Sequence, residues 1–136
     1  MNMIESIKTC FSKYATFSGR AMRSEFWWWI LFMVIVGTVL SIWMFGSVDW
    51  TALETDPTAM MGAFTGAAGI LYAIFYLVTF IPSLAVGARR LHDTGKSGWW
   101  QLLWLLGIIP FAGLIAMIVL IYFWVQKSQE GENKYG

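Results

Sequence analysis

Charge is scarce in this chain: only 12% of its 136 residues are charged and 58% are hydrophobic, the charged share being roughly half that of a soluble domain. So little polar surface cannot cover a globule in water. The net charge of +1 excludes the concentrated basic surface that phosphate-backbone binding requires, so no nucleic-acid partner is expected. A single cysteine, Cys10, excludes an internal disulfide, and with one histidine no zinc spacing exists; neither metal nor cofactor is expected. Cys10 reads as a free, inert thiol, because reactivity requires a depressed pKa. No soluble module, low-complexity linker or repeat is present, which leaves the membrane and its faces as the place of action.

The few charges are segregated. None lies in Phe26 to Val48, in Pro57 to Ala88 or in Ser97 to Gln126, and each run exceeds the roughly 20 apolar residues that cross a bilayer as a helix. Ahead of them, Ile4, Ile7, Phe11, Tyr14 and Phe17 recur at three- and four-residue steps, with Asn2, Glu5, Lys8, Ser12 and Lys13 on other faces. That pattern predicts an interfacial amphipathic helix over about 2–18. It is expected to be retained, since no small-residue cleavage site follows a short apolar core.

Gly19 offers a turn, and Ser24-Glu25 can cap the next helix. The first span, about 25–46, opens on Phe26-Trp27-Trp28-Trp29, aromatic anchors for a bilayer interface. The loop after it carries Asp49, Glu54 and Asp56 but no cation, whereas Lys8, Lys13, Arg20 and Arg23 precede the first span and Arg89, Arg90 and Lys96 follow the second. The positive-inside rule then predicts a multi-pass protein with a cytoplasmic N-terminus and Arg89 loop. The second span, about 68–91, contains Pro82, which removes one helical hydrogen bond that Thr79 or a neighbouring helix can help to satisfy; Gly95 ends it, and Ser97 caps the third.

The third run, about 98–126, is ambiguous because Ile109-Pro110 lies at its middle. As one Pro-kinked helix it is about 43 Å long, whereas each arm of a hairpin would be only about 20 Å against a core about 30 Å thick. The expectation is therefore a single all-α membrane domain, residues 1–136, of three transmembrane helices plus the interfacial helix, followed by a polar tail over 127–136. The alternative is four segments, with a short or re-entrant hairpin at Pro110 that puts Lys127 and Lys134 inside.

Tyr14 with Phe17-Ser-Gly-Arg20, Arg23-Ser-Glu-Phe-Trp27, Arg89-Arg-Leu-His-Asp-Thr-Gly-Lys-Ser-Gly-Trp-Trp100, Ile109-Pro110 and the tail Gly131-Glu-Asn-Lys-Tyr-Gly136 resemble, in order and spacing, the signatures of DUF805. This family of small bacterial inner-membrane proteins is known only as a domain of unknown function. The resemblance spans nearly the whole chain and implies an integral inner (plasma) membrane protein. It brings no activity, substrate or catalytic residues. A longer loop with a Gly/Ala-rich stretch, Met61 to Gly69, departs from the family's shorter members.

Arg89, His92 and Asp93 share a helix face at i, i+3 and i+4, where Arg89 and Asp93 can pair, and one reading is a polar network that Glu25 and Arg23 can close. Arg90, Lys96, Trp99 and Trp100 suit an anionic lipid headgroup. Plain anchoring and topology explain the same residues. His92 oriented by Asp93 is a weak case for acid–base chemistry, because adjacency does not establish geometry. The reading is thus a non-enzymatic accessory or scaffold module that recognises anionic lipid or a membrane partner at its cytoplasmic face, through Arg20, Arg23, Glu25, Arg89, Arg90, His92, Asp93, Lys96, Trp99 and Trp100. The alternative is an oligomeric channel or transporter component, disfavoured by spans without ionisable residues. Gly62 with Gly66 and Gly37 with Ser41 leave a homo-oligomer open, although packing within the chain explains them equally well.

Overall fold

The computed structural model describes residues 1–136. It is all-helical: α1 (Met3–Ser12), α2 (Arg23–Gly46), α3 (Trp50–Leu53), a 3₁₀ turn (Pro57–Met60), α4 (Met61–Thr65), α5 (Ala67–Asp93), a 3₁₀ segment (Gly98–Ile108) and α6 (Pro110–Val125). Two helices, α2 and α5, are long and apolar enough to cross a membrane; α6 is shorter. The chain forms two compact units, residues 1–30 with 81–136, and residues 31–80.

The first unit is built on the end of α5, where Ala85, Val86, Ala88, Arg89, Arg90 and Leu91 are all buried. Around it Trp29 donates its indole N–H to the Ser83 hydroxyl (3.0 Å), Trp124 donates to the Gly87 carbonyl (3.3 Å), and Gln101 donates to the Leu84 carbonyl (2.9 Å). Gly87 allows this close packing: a Cβ there would collide with the Gln101 side-chain amide. Each indole and amide is thereby satisfied while its bulk is removed from water.

α1 starts on a capping box. The Asn2 side chain accepts from the Glu5 N–H (2.9 Å), and the Glu5 carboxylate accepts from the Asn2 N–H (3.4 Å). The helix ends at Ser12 rather than near residue 18, with Lys13 as its cap. Its buried positions are Ser6 and Cys10, one turn apart, while Ile4 is 63% exposed. The apolar ladder read from the sequence is therefore not what holds α1 against its own unit; a narrow face of small residues does, helped by the edge of Phe11 on Trp29 (5.3 Å).

Gly19 makes its expected turn at φ +89°. α2 begins at Arg23, so Ser24-Glu25 lie in its first turn instead of capping it. Near it, after α5, Gly95 takes φ +80°, and the Lys96 N–H closes onto the Leu91 carbonyl (2.9 Å), stopping α5 as expected. The Ser97 hydroxyl accepts from the Trp99 N–H (3.3 Å), the expected cap.

The expected single Pro-kinked third span is not formed. The run divides at Ile109, which is extended (φ −96°, ψ 117°), and Pro110 opens α6. Proline forces the residue before it out of the helical region and is at home in the first helical turn, so the chain reverses instead of bending. A Cβ on Gly113 would lie 2.7 Å from the Gly107 Cα, which shows how closely the two arms approach. At the open end, Lys96 donates to the Gln126 amide oxygen (3.0 Å) and Trp100 meets Phe123 edge-on (5.3 Å). This is a hairpin whose arms, about 22 and 24 Å long by their rise per residue, are each too short to cross a hydrocarbon core about 30 Å thick.

In the second unit Met44, Val48, Ala63 and Ala68 form a small core with Met60 and Tyr72. The acidic residues of this loop are turn formers: Asp49 caps α3 and Asp56 caps the 3₁₀ turn. Gly37 is explained by packing within the chain, since a Cβ would strike the Tyr76 hydroxyl. Gly62 and Gly66 belong to α4 and its cap, outside the long helices. In α5 the Thr79 hydroxyl donates to the Phe75 carbonyl four residues back (2.7 Å), so its one proton is not given to the Val78 carbonyl that precedes Pro82 by one turn.

The hairpin generates a test. Gly113→Ala should lower the melting temperature in detergent, by a cost of about 1–3 kcal/mol for forcing a methyl group against backbone. Gly107→Ala, whose added atom meets nothing within 4 Å, is the matched control and should melt near wild type. Equal melting of the two variants would show that the arms do not pack as described.

Candidate functional site

Every cation of the Arg89 motif is committed to a partner at one end of the first unit. Arg89 and Arg90 are both 0% exposed, and they pair differently from the sequence expectation. Arg89 donates through Nη1 to Glu25 Oε1 (2.6 Å), not to Asp93. Asp93 instead accepts from Arg90 Nη1 (2.6 Å) and Arg20 Nε (2.8 Å). The reason is steric: the buried faces of α5 point Arg89 toward the start of α2 and Arg90 toward the end of α6.

Around the first pair, the Ser6 hydroxyl donates to the Glu25 carbonyl and the Ala21 N–H donates to the Arg89 carbonyl (3.0 Å). Cys10 lies at the same place, and burial pushes its thiol up to about 11, with the Glu25 carboxylate adding to the rise and Arg89 and Ser6 opposing it. Removing a thiolate from water has this sign, and here desolvation outweighs the Arg89 guanidinium beside it. Arg89 Nε and Nη2 are buried without a hydrogen-bond partner.

The second pair is a knot that ties in the C-terminal tail. Arg90 Nε donates to the Trp124 carbonyl (2.9 Å) and Nη2 to the Gln126 carbonyl, so one guanidinium occupies the carbonyls left free at the end of α6. Arg20 donates to the carbonyls of Gln129 (2.6 Å) and Gly131 (2.7 Å). Ser128 gives its hydroxyl to Asp93, and the Gln129 N–H donates to the Asp93 carbonyl (2.8 Å). Arg23 is exposed and reaches the Val125 carbonyl at 3.4 Å.

His92 is held apart from the Asp93 carboxylate. Its Nδ1 faces the Gly19 carbonyl at 2.9 Å, and since a carbonyl only accepts, Nδ1 carries the proton. Tyr135 stacks flat on the imidazole (3.9 Å, 4°), and Asn133 donates to the His92 carbonyl (2.9 Å). The geometry of an Asp-oriented acid–base histidine is therefore absent. Lys96 lies over the Phe123 ring (4.8 Å), while Trp99 is 77% and Trp100 45% exposed.

The family model described as a protein of unknown function (DUF805) matches residues 14–136. The chain belongs to the DUF805 family. An inner membrane protein of Escherichia coli named YhaH is 38% identical over 123 residues, 90% of this chain and 86% of that protein; a second, YhaI, is 35% identical over 90% of this chain and 85% of its own length. An uncharacterised Escherichia coli protein, YiiR, is 29% identical over 89% of this chain. No solved structure matches the chain. These relatives, together with the apolar helices, mark this DUF805 chain as an inner-membrane protein of a family without an assigned activity. α1 lies ahead of the matched residues.

The sequence had picked out Arg20, Glu25, Arg89, Arg90, His92 and Asp93 as one cluster, and the structure brings them together as a buried DUF805 network rather than an open surface. Ser6, Cys10, Ser128, Gln129, Asn133 and Tyr135 were missed. The available signals were the family-like tail, which holds Asn133 and Tyr135, and the spacing of Ser6 and Cys10, small residues four apart on one helix face.

Two outcomes follow. Asp93→Asn should cost about 3–5 kcal/mol in thermal or denaturant unfolding, because two buried guanidiniums lose their counter-charge; an unchanged melting temperature would contradict the knot. Alkylation of Cys10 should be very slow at neutral pH and rise with a midpoint near the raised value of about 11. Since the folded state holds this proton more tightly than the unfolded chain, stability from the group is complete at neutral pH and falls as pH climbs toward that midpoint.

Proposed function

We propose that this protein is a non-enzymatic, multi-pass accessory module of the inner membrane whose cytoplasmic face recognises anionic lipid. The observation that carries the reading is the division of its cations. Arg20, Arg89 and Arg90 are turned inward onto carboxylates and carbonyls, whereas Lys8, Lys13, Arg23 and Lys127 remain exposed and Trp99 and Trp100 stand at the surface. Aromatic rings suit the bilayer interface, and each exposed cation near an anionic leaflet contributes about 1 kcal/mol. Exposed Glu5, Glu130 and Glu132 temper that attraction.

Topology follows the same logic. The cation-free acidic loop between α2 and α5 supports a cytoplasmic N-terminus by the positive-inside rule. Arg20 and Asp93 bind the 128–131 segment, so the tail shares the side of the N-terminus. On this reading the 98–126 hairpin enters and leaves the membrane on one side, and Lys127 and Lys134 are cytoplasmic.

Lipid analysis of protein held in mixed phosphatidylcholine and phosphatidylglycerol nanodiscs tests this reading. Phosphatidylglycerol should be enriched around the wild type and return several-fold toward the bulk composition in an Arg23→Gln, Lys127→Gln variant, as expected for the loss of about 1 kcal/mol per cation. Bulk composition around both proteins would sink the lipid reading. Stoichiometric retention of another membrane protein from the native membrane, without lipid enrichment, would replace it with partner binding.

A further inference from the structure

Arg89 has an unused side. A guanidinium presents its Nε–H and Nη2–H in parallel on one edge, the edge that grips a carboxylate or phosphate with two hydrogen bonds. Glu25 engages only Nη1, through a single oxygen, and in a side chain that is 1% exposed it leaves Nε and Nη2 without an oxygen acceptor, the Cys10 thiol, a weak acceptor, being the group that lies against the guanidinium. Buried donors left unpaired are costly, and a guanidinium cannot shed its charge to escape the cost.

The charge balance has the same sign. The buried network holds three guanidiniums, Arg20, Arg89 and Arg90, against two carboxylates, Glu25 and Asp93. One positive charge is left over, and the free donors on Arg89 are where a second anion would bind.

The group against that guanidinium, Cys10, belongs to α1, which is seated by a narrow face. α1 meets its unit through Ser6 and Cys10 and the Phe11–Trp29 edge, and it lies ahead of the residues that the family model matches. Its other faces carry the exposed apolar Ile4 and Phe11 and the exposed cations Lys8 and Lys13, a composition suited to lying on an anionic interface.

We propose that the Nε–Nη2 edge of Arg89 is a binding site for a phosphate oxyanion, and that α1 is the lid that lifts to admit it. This rests on the membrane-surface reading above and deepens it: diffuse attraction by exposed cations becomes capture of one phosphate group by a fork of two donors. The phosphate belongs to a phospholipid headgroup or to a free phosphate, and the two sources share this chemistry. On binding, α1 moves off its seat onto the membrane surface and Cys10 leaves its buried position.

The test uses the full chain and Arg89→Lys, which keeps the charge and the ion pair to Glu25 but removes the parallel donor edge. Native mass spectrometry of protein released from phosphatidylglycerol and phosphatidylcholine nanodiscs should show one phospholipid per wild-type chain that survives stripping of the surrounding lipid, absent from Arg89→Lys. A parallel sample in detergent with inorganic phosphate distinguishes the sources: a phosphate adduct there, with no retained phospholipid in the nanodiscs, assigns the same edge to free phosphate.

Cys10, the sole cysteine, reports the lid. At pH 7.5 its alkylation should accelerate at least about tenfold when the phosphate-bearing ligand is added to the wild type, because an unseated thiol returns toward its ordinary pKa of roughly 8.5. Arg89→Lys should show no acceleration. Retention of the same ligand by Arg89→Lys, absence of any retained phosphate species in the wild type, or a ligand-independent alkylation rate would overturn the proposal. Enrichment of surrounding phosphatidylglycerol is measured separately and depends on Arg23 and Lys127, so the fork can fail while the general lipid reading stands.

Discussion

The carboxylate of Asp93, held between Arg20 and Arg90, is the contact on which the first unit depends. It sits where burial has removed most of the water that would otherwise solvate three charges, so each guanidinium relies on that single anion and on carbonyl oxygens. Desolvating an ion costs several kcal/mol, and the cost is recovered only when geometry and extra hydrogen bonds are good. Here they are: Arg90 and Arg20 distribute their remaining donors over the carbonyls of Trp124, Gln126, Gln129 and Gly131. A network of this kind contributes little net stability compared with an apolar core. Its effect is specificity, because any other register of α5 against α6 and the tail would strand charges in a medium that cannot screen them.

Two kinds of adhesion hold the chain, in different places. In the second unit the close contacts are small-residue and aromatic, as where Gly37 admits the Tyr76 hydroxyl and Phe32 meets Phe75 edge-on (6.0 Å). Lipid tails are as apolar as leucine, so packing in such a segment rests on van der Waals fit. In the first unit charge and hydrogen bonding take over, and even the aromatic residues are tied by polar handles, as with Trp29 on Ser83 and Trp124 on Gly87. The few charges of the sequence are thus unevenly used: five of them, Arg20, Glu25, Arg89, Arg90 and Asp93, meet in the ion pairs of the first unit.

Local signals in the sequence carried through to the structure. Gly19, Gly95 and Ser97 do what turn and cap chemistry requires, and the long apolar runs of α2 and α5 are helices of membrane-spanning length. What was not legible depended on distant parts of the chain. Helical spacing put Arg89 and Asp93 on one face, but partner choice was decided by Glu25 and Arg20, residues 64 and 73 positions away in the chain. Periodicity counts apolar residues, so it found the face of α1 that carries the exposed Ile4 and Phe11 and passed over Ser6 and Cys10, which seat the helix on its unit. At Ile109-Pro110 length favoured one helix; the backbone restriction that proline places on its neighbour won instead.

The tail has a bearing on biogenesis. Arg20 emerges early from the ribosome, but its carbonyl partners at Gln129 and Gly131 are 109 and 111 residues later in the chain. α2 and α5 can insert on the strength of their own apolar length, yet the buried ion network cannot be completed until the 128–131 segment has been synthesised. A chain interrupted before that point would reach the membrane with Arg20 lacking those acceptors and Asp93 lacking Ser128. Such a product differs from a finished one in which of its charges have found acceptors, so the ion network can mature only after the last residues are made.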